Sequence, residues 1–170
     1  MITTPHNRKT IRLKEYDYAQ PGEYFITICT YEKEDTFGEI VADEMRLSQE
    51  GRIAQQCWRQ IPSHFEDVEL DEFVVMPNHI HGIIILNDHG RDVQLNVPTR
   101  LSPKKGSLSV IIRTYKAAVT TECRRKGLYD FRWQSRFYEH IIRGNKDLNN
   151  IRDYITGNVL KWASDSEYVQ

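Results

Sequence analysis

The 170-residue sequence predicts an α+β fold, a ferredoxin-like βαββαβ sandwich with an antiparallel sheet and an added C-terminal helix that carries a tyrosine. Three observations predict it. Runs rich in aromatic and β-branched residues alternate with segments of helical apolar spacing, in the order strand, helix, strand, strand, helix, strand, helix. The middle two strands are separated only by the Pro77-Asn78 turn signal, which makes them an antiparallel hairpin. The last segment shows one more helical stripe than a βαββαβ unit requires, and no internal repeat competes with this order.

The first strand spans Glu23 to Tyr31, EYFITICTY, entered through Pro21-Gly22. Phe37 to Leu47 reads as a short hairpin or loop. From Ser48, the residues Ile53, Ala54, Cys57, Trp58 and Ile61 recur at helical spacing until Pro62 ends the pattern. Val68 to Val75 and His79 to Leu86 are the hairpin strands. Asp88 to Lys105 is polar, holds Pro98 and Pro103 and shows no periodicity, as expected of a mobile loop. A second helix follows from about Ser107 to Lys126, with Leu108, Ile111, Ile112, Tyr115, Ala118 and Val119 on one side and Gly127 as its stop. Phe131 to Ile142 is the fourth strand. The last helix, about Lys146 to Ala163, carries the stripe Leu148, Ile151, Ile155, Val159 and Trp162.

At this length one domain over residues 1–170 can bury about two-thirds of the surface its unfolded chain exposes, so no structural metal or disulfide is required. Lysine and arginine number 23 against 24 acidic residues, a net charge of −1. The basic residues nevertheless cluster, at Arg8, Lys9, Arg12 and Lys14 and again between Arg100 and Lys126, so a short nucleic-acid strand remains a possible partner. Cys29, Cys57 and Cys123 are odd in number and widely spaced, which points away from a disulfide framework or a zinc ribbon. The N-terminal segment lacks the apolar core of a signal peptide, and Ile83 to Leu86 is too short to span a bilayer. The expected setting is cytoplasmic and nucleoid-associated, without a membrane partner.

Two constellations carry chemistry. His79-Ile80-His81 opens a strand, where alternate side chains leave one face, so both imidazoles point together while Ile80 enters the core. Neutral imidazoles so placed can share a divalent ion. The bland alternative is a pair of surface histidines, since the spacing is common. On the last helix, Tyr154 and Asn158 lie four residues apart and so stack on one face. A phenol that attacks phosphorus needs the phosphate charge neutralised and its own hydroxyl held in line. Asn158 can add an amide oxygen to the two imidazoles. Against this stand a packing role for Tyr154 beside Ile151 and Ile155, and an ordinary helix-end role for Asn158.

The segments FVVMPNHIHGIIIL (Phe73 to Leu86), FRWQSRFYEHIIR (Phe131 to Arg143) and RDYITGNVLKW (Arg152 to Trp162) resemble the IS200-like tyrosine transposases, and within them the REP-associated group. The opening from Asn7 to Lys33 is similar to that group too, so the resemblance runs along nearly the whole chain. It implies an enzyme with His79 and His81 as the HUH metal pair and Tyr154 as the nucleophile. Such an enzyme cuts and joins single-stranded DNA through a 5′-phosphotyrosine, releases a 3′-hydroxyl, uses Mg²⁺ or Mn²⁺ and recognises a DNA hairpin beside the cleavage site. Asn158 stands where related transposases carry a polar metal ligand. Valine at position 159 replaces the proline common in relatives and is expected to let the helix continue. The family's assemblies leave monomer and homodimer both open.

For DNA contact, Arg113, Lys116, Arg124 and Arg125 on the second helix, with Arg8, Lys9 and Arg12, are the candidates for phosphates. Trp133, Gln134 and Arg136 on the fourth strand are the candidates for unpaired bases. A solvated helix face and a core tryptophan are the competing readings. Two rival functions remain: a domesticated protein that binds hairpins without cutting, and a metal-dependent phosphohydrolase in which water replaces the tyrosine.

Overall fold

The computed structural model describes residues 20–88 and 106–164. Strands β1 (Gly22–Cys29), β4 (Val68–Val75), β5 (His79–Leu86) and β6 (Tyr138–Ile141) form one sheet in the order β4-β5-β1-β6. All neighbours are antiparallel, the ferredoxin-like arrangement. Between β1 and the first helix a separate hairpin, β2 (Gly38–Val41) with β3 (Glu44–Leu47), occupies the stretch read as a hairpin or loop.

Period-two alternation divides the sheet into two faces. Tyr24, Ile26 and Ile28 of β1 and Ile80, Ile84 and Leu86 of β5 pack into the larger core with helices α1 (Gln49–Arg59) and α3 (Leu108–Arg125). Phe25 and Ile83 turn the other way, onto Leu148 and Ile155 of helix α4 (Asn145–Thr156). Gly82 makes the first face possible: a Cβ there would lie 2.4 Å from Cζ2 of Trp58. Without one, the buried Trp58 lies directly on β5, its ring stacked with Phe73 at 6.0 Å.

Local signals set the helix ends. The Ser48 hydroxyl accepts from Gly51 N at 2.9 Å, a side-chain N-cap for α1. Pro62 does more than end that helix, because it starts the one-turn helix α2 (Ile61–His64), where its missing N–H has no helical partner to lose. Among the described residues no helix is long and apolar enough to cross a membrane.

Two expectations need correction. The last helix stops at Thr156, capped by Gly157, and a 3-10 turn over Val159–Ser164 follows. Glycine is a weak helix former, and the Thr156 hydroxyl turns back to the Arg152 carbonyl at 2.9 Å. The continuation expected from Val159 therefore does not occur, and Asn158 lies in the turn beyond the end of the helix. The fourth strand is also shorter than read, with only Tyr138–Ile141 laddered. From Thr27↔Tyr138 to the isolated bridge Thr30↔Trp133, three steps along β1 oppose five along the partner. Two extra residues push the chain out of the sheet as a bulge, so Trp133, Gln134 and Arg136 lie before the strand. The loop expected at Asp88 to Lys105 falls, beyond Asp88, outside the described residues.

Candidate active site

β5 is a central strand, and its odd-numbered residues face α4. His79 and His81 therefore point into the same layer, 0 % and 3 % exposed, with ring centroids 4.3 Å apart. Buried imidazoles need hydrogen-bond partners. The β1–β5 register supplies one by setting Thr27 opposite His81, where Thr27 Oγ1 and His81 Nδ1 are 2.9 Å apart. The turn supplies the other: His79 Nδ1 lies 2.8 Å from Asn78 Oδ1.

Tyr154 reaches this pair from 73 residues away in sequence, with its hydroxyl 3.1 Å from His81 Nε2. The ring sits 5.1 Å from that of His81 and meets Phe25 edge-on at 6.0 Å. Its helix is held on the sheet by Leu148 and Ile155 and by an ion pair in which Arg152 Nε donates to Asp71 Oδ2 at 2.9 Å. Asp71 is available because the β4–β5 register shifts between Leu70 and Phe73. With Tyr154 37 % exposed, its hydroxyl lies between a buried histidine and open solvent.

That hydroxyl borders a groove of about 540 Å³, lined by Phe25, Thr27, Cys29, Lys33, His81, Gln134, Arg136, Phe137, Tyr138 and Tyr154. One wall is the bulge. Lys116 shapes it, donating to the carbonyls of Gln134 at 2.6 Å and Arg136 at 3.1 Å. Burial lowers its pKa to about 8.

The sequence-predicted residues thus separate. The structure brings together His79, His81, Tyr154, Gln134 and Arg136. Asn158 is 1 % exposed, and farther along the same turn the Trp162 ring comes within 5.8 Å of that of His79. Lys116 spends two of its three ammonium N–H donors on backbone carbonyls of the bulge. Trp133 is half-buried, packing on Phe37 and Phe131 and donating from Nε1 to Lys116 O at 3.1 Å. Arg113, Arg124 and Arg125 are exposed on α3, in the layer opposite the histidines, and Arg125 pairs with Glu122 at 2.8 Å. Arg8, Lys9 and Arg12 lie outside the described residues. Sequence reading missed Thr27, Asn78 and Lys33. Thr27 could emerge only from the strand register, whereas Asn78 stood beside the motif and was read purely as a turn residue.

Among the described residues no three His, Cys, Asp or Glu side chains gather where they could hold a metal ion. Two buried imidazoles on one face are nonetheless a donor set that suits a divalent transition ion, provided oxygen ligands come from an amide, substrate and water.

The ferredoxin-like sheet, with its paired histidines on a central strand and a tyrosine brought to them from the C-terminal helix, has the transposase fold. The chain belongs to one family with an uncharacterized protein of Haemophilus influenzae, to which it is 42 % identical over 172 residues, covering 96 % of this chain and 94 % of that one. It is also similar to a second Haemophilus influenzae protein, named "Putative REP-associated tyrosine transposase", with 25 % identity over 151 residues that cover 85 % of this chain and 74 % of the relative. A solved REP-associated tyrosine transposase bound to a REP hairpin has the same fold, with a TM-score of 0.61 and 23 % identity over 90 % of this chain and 74 % of that one. No protein-family model matches the chain.

Proposed function

We propose that this protein cleaves and rejoins single-stranded DNA beside a hairpin through a covalent 5′-phosphotyrosine at Tyr154. The observation that carries the reading is the 3.1 Å approach of the Tyr154 hydroxyl to His81 Nε2 in the lining of a groove of about 540 Å³. The bond made is from the Tyr154 oxygen to phosphorus, the bond broken is from phosphorus to the 3′-oxygen, and the phenolic proton is balanced by the proton gained by the released 3′-hydroxyl. The phosphodiester energy is conserved, so attack by another 3′-hydroxyl reverses the step without a nucleotide cofactor.

His79 and His81, with the Asn158 amide oxygen, would hold Mg²⁺ or Mn²⁺, which supplies neutralisation of the phosphate charge. The chain's own residues do the rest. Phe25 and the Arg152–Asp71 pair fix the direction of Tyr154. Arg136 and Gln134 present a cation and an amide to the strand along the groove. The Tyr154 hydroxyl, 3.1 Å from His81 Nε2, would stand directly beside any cation that His81 helped to hold.

The test is incubation with hairpin-bearing single-stranded oligonucleotides and Mn²⁺, followed by denaturing electrophoresis. A protein band shifted by covalent DNA is expected. Cleavage without an adduct would indicate a phosphohydrolase instead, and hairpin binding without cleavage a purely binding protein.

A further inference from the structure

Asn78 stands between two parts of the site. It closes the turn into β5, and its side chain makes hydrogen bonds of opposite sense. Nδ2 donates to the Lys33 carbonyl at 3.1 Å, while Oδ1 lies 2.8 Å from His79 Nδ1. The first bond fixes the second. A carbonyl only accepts, so the amide NH₂ must face Lys33 and the amide oxygen must face His79. An amide oxygen also only accepts, so the proton at that contact belongs to His79 Nδ1. In the neutral ring the lone pair then resides on Nε2. At His81 the contact to Nδ1 is a Thr27 hydroxyl, which can donate or accept and so does not by itself choose the tautomer.

The Lys33 end is anchored in its turn. Glu32 and Lys33 adopt φ of +52° and +57°, left-handed values that cost non-glycine residues energy and persist only where surrounding bonds hold them. The Thr30 hydroxyl supplies such bonds, donating toward the carbonyls of Glu34 at 2.7 Å and Asn78 at 2.9 Å, and Thr30 N donates to Asn78 O at 2.9 Å. This turn also places Lys33 in the wall of the tyrosine groove.

We infer that Asn78 is a positioning residue that holds His79 as its Nδ1–H tautomer, aiming the Nε2 lone pair into the site, and ties that ring to the turn presenting Lys33. The inference rests on the reading of His79 as a metal ligand. Outer partners of ligating histidines fix tautomer and ring orientation, and losing one costs about 10- to 100-fold in metal affinity.

A long-range ¹H–¹⁵N correlation spectrum of the metal-free full chain, recorded above the ordinary imidazole titration range, reads the tautomer directly. His79 is expected to show a protonated Nδ1 and a bare Nε2. Asn78→Ala should mix the two tautomers and weaken Mn²⁺ binding by about 10- to 100-fold. Asn78→Asp keeps an acceptor at His79 but cannot donate to Lys33, so it should retain the tautomer and bind Mn²⁺ within a few-fold of wild type. A wild-type ring protonated at Nε2 would overturn the inference, as would an alanine variant with unchanged tautomer and affinity. Should Asn78→Ala fail to fold, loss of the tautomer in the folded Asn78→Asp protein would do the same. The expected tautomer without any Mn²⁺ binding would count against the metal reading of the site, while the Asn78–His79 contact would stand.

Discussion

The two faces of β5 make unlike use of one strand. Ile80, Gly82, Ile84 and Leu86 face α1 and α3, where the side chains are apolar, buried and closely fitted around Trp58. His79 and His81, one residue out of phase, face α4 and carry polar atoms that need partners from three other segments: Thr27, Asn78 and Tyr154. On the proposed reading, stability is concentrated on the first face and chemistry on the second. The pleat keeps them apart, because a register slip of one residue would exchange them.

If the division holds, damage on one face should leave the other's property nearly untouched. The largest effect belongs to Tyr154→Phe, which should lower adduct formation by on the order of 10³-fold or more. Its stability should change by no more than about 1 kcal/mol, because one partly exposed hydrogen bond is lost. Mn²⁺ titration should show affinity equal to or above wild type, since the phenol no longer engages His81 Nε2. Urea unfolding of Ile84→Ala comes next, with an expected loss of about 2–5 kcal/mol for a fully buried side chain. The folded fraction should still form adduct at the wild-type rate; a large fall in that rate would show the two faces to be coupled.

A smaller loss, about 1–3 kcal/mol, is expected for Gly82→Ala, where the new methyl meets the Trp58 ring. Near-ultraviolet circular dichroism should report the tryptophan's displacement. The smallest effect concerns Lys116. Its folded pKa is about 8 and its unfolded value about 10.5, so across that window the unfolded chain binds more protons and stability rises with pH. Below about 8 this contribution is flat. Lys116→Met should remove that rise from the pH profile of urea midpoints and loosen the bulge that walls the groove.

Much of this arrangement was legible in the sequence because it depends on local patterning. β4 and β5 occupy the residues their composition marked, and the alternation through His79-Ile80-His81 fixed which face each side chain takes. The Ser48 cap and the apolar stripe of α3 were equally local. The parts that were not legible depend on pairing between distant segments. The bulge before β6 arises because Lys116 and the edge of β1 claim backbone groups from residues 132–136, information held in no single stretch. The early end of α4 had a local cue in Gly157, outweighed in the sequence reading by the apolar residues beyond it. Thr27 and Asp71 enter the site only through the register and its shift, so the histidine–tyrosine set could be named from sequence while the residues that hold it could not.

The central claim is that Tyr154, among the nine tyrosines of the chain, is the one that takes the phosphate. Trypsin should release it in the peptide Asp153–Lys161, so the adduct formed with hairpin DNA and Mn²⁺ can be digested with nuclease and trypsin and sequenced by tandem mass spectrometry. A nucleotide phosphate mass on Tyr154 of that peptide is the predicted result. The same mass on a different residue, or an unmodified peptide alongside efficient strand cleavage, would contradict it.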